Sequence, residues 1–133
     1  MKKILFRKIA AGIAVIFSIL TTVDGFQVLF SISKPDYIVL QPLLIYNVIM
    51  GVFGVIVGLM LWLNREKALK YSVIVTSMHL IVLALVSIMY VTGGAVALHS
   101  MHAMGLRALV WLVIIWFSRI SKRPSINIGL ITR

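Results

Sequence analysis

The segment His99-Ser100-Met101-His102-Ala103-Met104 brings imidazole and thioether donors within a few residues of one another. Such donors suit Cu(I), and imidazole with a carboxylate suits zinc. On a helix His99 and His102 share a face, about 60° apart, and Met101 and Met104 point to the opposite side. The four converge on one ion only if the local chain unwinds, which Gly93 and Gly94 favour, or if a second chain supplies ligands. A zinc site of these histidines with Asp24 is the variant. Haem held between two histidines is opposed by level, since His79 and His102 fall roughly 12 and 22 Å from the inner edge of a bilayer core.

Two ionisable groups stand deeper in apolar sequence. Asp24 is the only acid within an apolar run, and Arg107 falls near mid-membrane, roughly 15 Å from the inner edge. An unpaired charge there is costly and conventionally marks function, although a structural pair is equally compatible. Side chains lean toward a helix N-terminus, so Arg107 is expected to reach toward Asp24 and pair with it. Asp24, Asn47, Ser87 and His102 count to one outer level, giving a polar layer with Arg107 beneath. His79 belongs to a separate stripe with Ser72, Thr76, Ser87 and Tyr90, within about 80° on one helix face. That stripe reads as interhelical hydrogen bonding in preference to a proton or ion path.

Catalytic signatures are lacking. The chain has no nucleophile elbow, paired carboxylates, HExxH or phosphate loop. Asp24 and His102 could act as acid and base only in contact, and a lone Asp–His contact is more often structural. The expected role is non-catalytic, with no cofactor required.

The elements that must hold these residues are four apolar runs, at residues 9–30, 43–63, 71–91 and 95–117. Each has the roughly 20 residues needed to cross a bilayer as an α-helix. Apolar residues make up 62% of the chain and charged residues 12%, which a soluble domain does not match. The expected fold is all-α: one antiparallel bundle of four transmembrane helices.

Charge sets its orientation. There are 13 Lys and Arg against 3 Asp and Glu, for a net charge of +10. Lys2, Lys3, Arg7 and Lys8 precede the first run, Arg65, Lys67 and Lys70 lie between the second and third, and Arg119, Lys122, Arg123 and Arg133 follow the fourth. The other loops carry only Lys34. This is the positive-inside pattern, so both termini are expected in the cytoplasm, in a cytoplasmic (inner) membrane. The clusters fit anionic lipid headgroups, at about 1 kcal/mol per basic residue, and argue against nucleic acid as partner. The basic start and apolar run resemble a signal peptide, but no small-x-small site follows, so residues 9–30 are expected to remain as a helix. The chain has no cysteine, which removes disulfides and thiolate metal sites.

Packing is also legible. Gly51, Gly54 and Gly58 fall on one stripe of the second run, shared with Asn47, and Gly54 and Gly58 are a small-xxx-small pair. The partner is a helix of the same chain or of a second copy. Pro42 fits a first helical turn, Thr92-Gly93-Gly94 a tight connection, and 118–133 a basic cytoplasmic tail. These features point to a small membrane-embedded binding or accessory subunit, in a homodimer or a larger membrane complex. The alternatives are an outer-face copper or zinc handling protein and a dimeric small-solute or ion transporter using the His79 stripe.

Overall fold

Four helices account for most of residues 2–122, which the structure, a computed structural model, describes. They are α1 (Lys2–Leu29), α2 (Gln41–Trp62), α3 (Ala68–Val91) and α4 (Leu98–Lys122). All four are long and apolar enough to cross a membrane, and no strand occurs among the described residues. Short connections force neighbours antiparallel. Each helix packs on the next, α4 closes back on α1, and α2 and α3 share the least contact of the four pairs.

Three helices stop in the same way. The residue after each C-cap, Ser31, Asn64 and Gly93, has positive φ. After α2, the N–H of Asn64 donates to Leu61 O at 3.1 Å and that of Arg65 to Met60 O at 2.9 Å. After α3, Gly93 donates to Tyr90 O at 3.2 Å and Gly94 to Met89 O at 2.8 Å. After α1, Ser31 donates to Val28 O at 3.1 Å and Ile32 to Gln27 O at 2.9 Å. These paired bonds are Schellman caps, which satisfy terminal carbonyls and turn the chain sharply. Pro42 lies in the first turn of α2, where its missing N–H leaves no bond unmade.

Helix limits differ from the apolar runs for identifiable reasons. α1 begins at Lys2, not at residue 9, because Lys and Arg are good helix formers that need no apolar environment. α4 begins at Leu98, because the Gly93–Gly94 cap is followed by a bond from Val96 N to Gly94 O at 2.8 Å. It continues to Lys122, where Arg119 and Lys122 complement the negative end of the helix dipole. Residues 118–122, expected in the tail, are therefore helical; 123–133 lie outside the described residues.

The α1–α2 contact is built from small residues. Ala11, Ala14, Ser18, Thr21 and Gly25 recur at spacings of three and four and are all buried. Against them lie Gly51, Gly54 and Gly58, also buried. A Cβ at Gly51 would strike Thr22 Oγ1, and one at Gly54 would strike Ser18 Oγ. At Gly58 it would lie 2.7 Å from Val15 Cγ2 and 3.0 Å from Val15 N. The glycine stripe thus packs on α1 of the same chain, which is how backbones approach closely in lipid.

Large side chains face the other way. Ile45, Ile49, Val52, Ile56 and Leu59 form an exposed ridge along α2, and Leu109, Leu112 and Trp116 do so along α4. Such an apolar exterior suits lipid, not water. Inside, the half of the bundle nearest the N-terminus holds an apolar core of small residues with Val57, Leu61, Val75, Trp111 and Ile114. That end also gathers the basic residues. Lys8 Nζ stands 5.4 Å from the centroid of the Trp62 ring, and Lys122 Nζ donates to Glu66 O at 2.9 Å. Ser72, Thr76 and Ser118 are buried near that end as well, whereas Asp24, Asn47 and Arg107 lie toward the opposite one.

Candidate ligand cleft

The opposite end is open between α1, α2 and α4. A cleft of about 500 Å³ lies there, roofed by Tyr37, Val39 and Leu40 of the α1–α2 loop. Its size falls in the range of small-molecule sites, about 300–1,000 Å³. Helix α1 supplies Phe17, Leu20, Thr21, Asp24, Gly25 and Val28; α2 supplies Leu43, Leu44 and Asn47. The first turns of α4 supply His99, Ser100, His102, Ala103, Leu106 and Arg107. Mostly apolar walls with a few converging polar groups are the usual composition of a binding site.

Five residues singled out from sequence therefore meet: Asp24, Asn47, His99, His102 and Arg107. Ser87 does not join them. Helix α3 lends nothing to the cleft wall, and the Ser87 hydroxyl donates to Leu83 O of its own helix at 2.7 Å. Ser72 and Thr76 likewise donate to Ala68 O at 3.0 Å and Ser72 O at 2.9 Å. These hydroxyls bond one turn back along α3, not across to a neighbour as the stripe implied. In a continuous helix the carbonyl four residues earlier is always within reach.

The expected ion pair is also not formed. Among the described residues no hydrogen bond or ion pair joins Asp24 to Arg107. Asp24 is exposed and Arg107 partly buried, and the two charges act on each other through space. The guanidinium Nε is buried without a hydrogen-bond partner, and so is Asn47 Oδ1. Beneath them a void of about 10 Å³, the size of one water, is bounded by Ser18, Thr21, His79, Arg107 and Trp111 among others. Arg107 lines both spaces and forms the floor of the cleft.

His79 is buried one layer below, with Tyr46 Oη 2.8 Å from its Nδ1. The sequence reading had no place for Tyr46. Counting at 1.5 Å per residue along the expected spans sets it roughly 13 Å further out than His79. Helix α3 starts at Ala68, which raises His79 by roughly 4.5 Å, and the rest is an offset between the two helices that counting along each does not give. A usable signal was chemical: a tyrosine inside an apolar run needs a partner for its hydroxyl.

The metal-ligand segment is divided by its helix. His99 and His102 line the cleft, and the Tyr37 ring lies 4.7 Å from that of His99. Met104 is fully buried in the bundle, and neither it nor Met101 lines the cleft. Among the described residues no group of three or more His, Asp or Glu is placed to hold a metal ion.

No family model matches the sequence, no curated protein matches it, and no solved structure matches its fold.

Proposed function

We propose that this chain is a multi-pass protein of a cytoplasmic (inner) membrane, with both termini in the cytoplasm, acting as a non-catalytic binding or accessory subunit. Its ligand occupies the cleft between α1, α2 and α4. One observation carries the reading: three helices converge polar side chains on an apolar-walled space, and two of those side chains, Arg107 and Asn47, keep a buried polar atom without a partner. Buried polar groups are ordinarily satisfied, so such atoms beside a cavity mark where a ligand or its water belongs.

The orientation rests on charge. The antiparallel bundle gathers the basic residues of α1, the α2–α3 loop and the end of α4 at one end, and Lys34 is the one basic residue in the loops at the other. Binding is favoured over conduction because the cleft and the one-water void beneath it stop at His79 and Trp111, and below them the Ser72 and Thr76 hydroxyls are bonded to their own helix within a closed core.

Native mass spectrometry of the full chain released from its own membrane tests the proposal. A discrete bound species on the wild type, absent from a cleft-filling Ala103→Trp variant, is expected. Wild type and variant carrying the same adducts, or none, would refute a cleft ligand.

A further inference from the structure

Resting on the cleft reading above, the geometry points to the class of ligand: a singly charged organic carboxylate with a compact apolar body. Arg107 would receive the carboxylate, and the wall formed by Phe17, Leu20, Leu44 and Leu106 would receive the hydrocarbon.

The guanidinium sets the sign of the charge. It sits at the floor of the cleft with no hydrogen bond or ion pair to any described residue, and its Nε is already shielded from solvent. A cation in apolar surroundings draws an anion, and the planar fork of arginine matches a carboxylate with two parallel hydrogen bonds. A cationic ligand would meet this fixed charge at close range.

The apolar wall sets the magnitude. Asp24 lines the same cleft without touching Arg107, so it opposes any anion placed between them. A second negative charge, as on a phosphate monoester, would scale the pull of Arg107 and the push of Asp24 alike, but the cost of desolvating it against apolar walls rises more steeply than either, so a single carboxylate is favoured. The apolar wall and the volume of about 500 Å³ favour one compact hydrocarbon body.

Equilibrium dialysis of the full chain in phosphatidylcholine nanodiscs tests this, with 2-naphthoate as probe and empty nanodiscs as blank. The uncharged 2-naphthamide and the cationic 2-naphthylmethylammonium serve as isosteres. The expected result is saturable binding of 2-naphthoate, at least about tenfold weaker binding of both isosteres, and a loss of about tenfold or more in Arg107→Gln. Asp24→Asn is expected to bind 2-naphthoate more tightly, which a merely unstable variant would not do. Equal binding of the amide or the ammonium, or weaker binding in Asp24→Asn, would overturn the carboxylate assignment and leave the cleft as a site of other specificity. No binding of any of the three would overturn the assignment and count against the cleft as well.

Discussion

Tyr46 Oη lies 2.8 Å from His79 Nδ1, and this bond joins α2 to α3, the two neighbours that share the least contact. Their rings meet nearly edge to face, with centroids 5.8 Å apart. The polar pair thus fastens the thinnest seam of the bundle, beside the one-water void beneath the cleft.

Removing the phenol hydroxyl should loosen that seam. Tyr46→Phe leaves His79 Nδ1 buried without its partner, at an expected cost of about 1 kcal/mol. His79→Leu should cost a similar amount, and the double variant less than the sum of the two. Unfolding in mixed micelles measures all three. Strict additivity would show that the two side chains do not share a bond.

The α1–α2 seam makes a contrast between glycines. At Gly58 an added methyl group meets the Val15 backbone nitrogen at 3.0 Å, so the helices must move apart. Gly58→Ala should destabilise by about 1–3 kcal/mol. A methyl at Gly12 of α1 meets nothing within 4 Å. Gly12→Ala should therefore stabilise by about 0.5–1 kcal/mol through helix propensity. A stabilising Gly58→Ala would show that the stripe is not tightly packed.

The relation of Asp24 to Arg107 is open to a double-mutant cycle. Without direct contact, Asp24→Asn and Arg107→Leu should couple by less than about 1 kcal/mol in stability. A closed buried pair would instead lose about 3–5 kcal/mol on removal of either partner. A coupling of that larger size would mean that the carboxylate reaches the guanidinium directly.

Much of this was legible in sequence because lipid imposes simple rules. Length and apolar content mark the helices, and Gly51, Gly54 and Gly58 mark the face of α2 that meets α1. Asn64 and Gly93, permissive of positive φ, signal two of the caps, whereas Ser31 gives no such signal. The matching stripe on α1, Ala11, Ala14, Ser18, Thr21 and Gly25, repeats the pattern in small residues, among which a single glycine is a weaker signal. Levels along a helix axis follow from 1.5 Å per residue, which is why Asp24, Asn47 and His102 meet in the cleft. Rotation about that axis and helix offset do not follow from counting. Ser87, at a matching level, consequently lies outside the cleft, and Tyr46 reaches a histidine assigned to another layer.

The proposed site is a reachable cleft at the end of the bundle opposite the basic clusters of α1 and the α2–α3 loop. The chain has no cysteine, so Ala103→Cys places a single thiol on its wall. The most direct measurement is labelling of that thiol in intact cells by a membrane-impermeant reagent, beside Lys67→Cys in the α2–α3 connection and Ala108→Cys in the buried face of α4. Ala103→Cys is expected to label from outside, Lys67→Cys only after permeabilisation, and Ala108→Cys to stay unreactive. An Ala103→Cys that is as inert as Ala108→Cys, or that labels from the same side as Lys67→Cys, would contradict the proposed site.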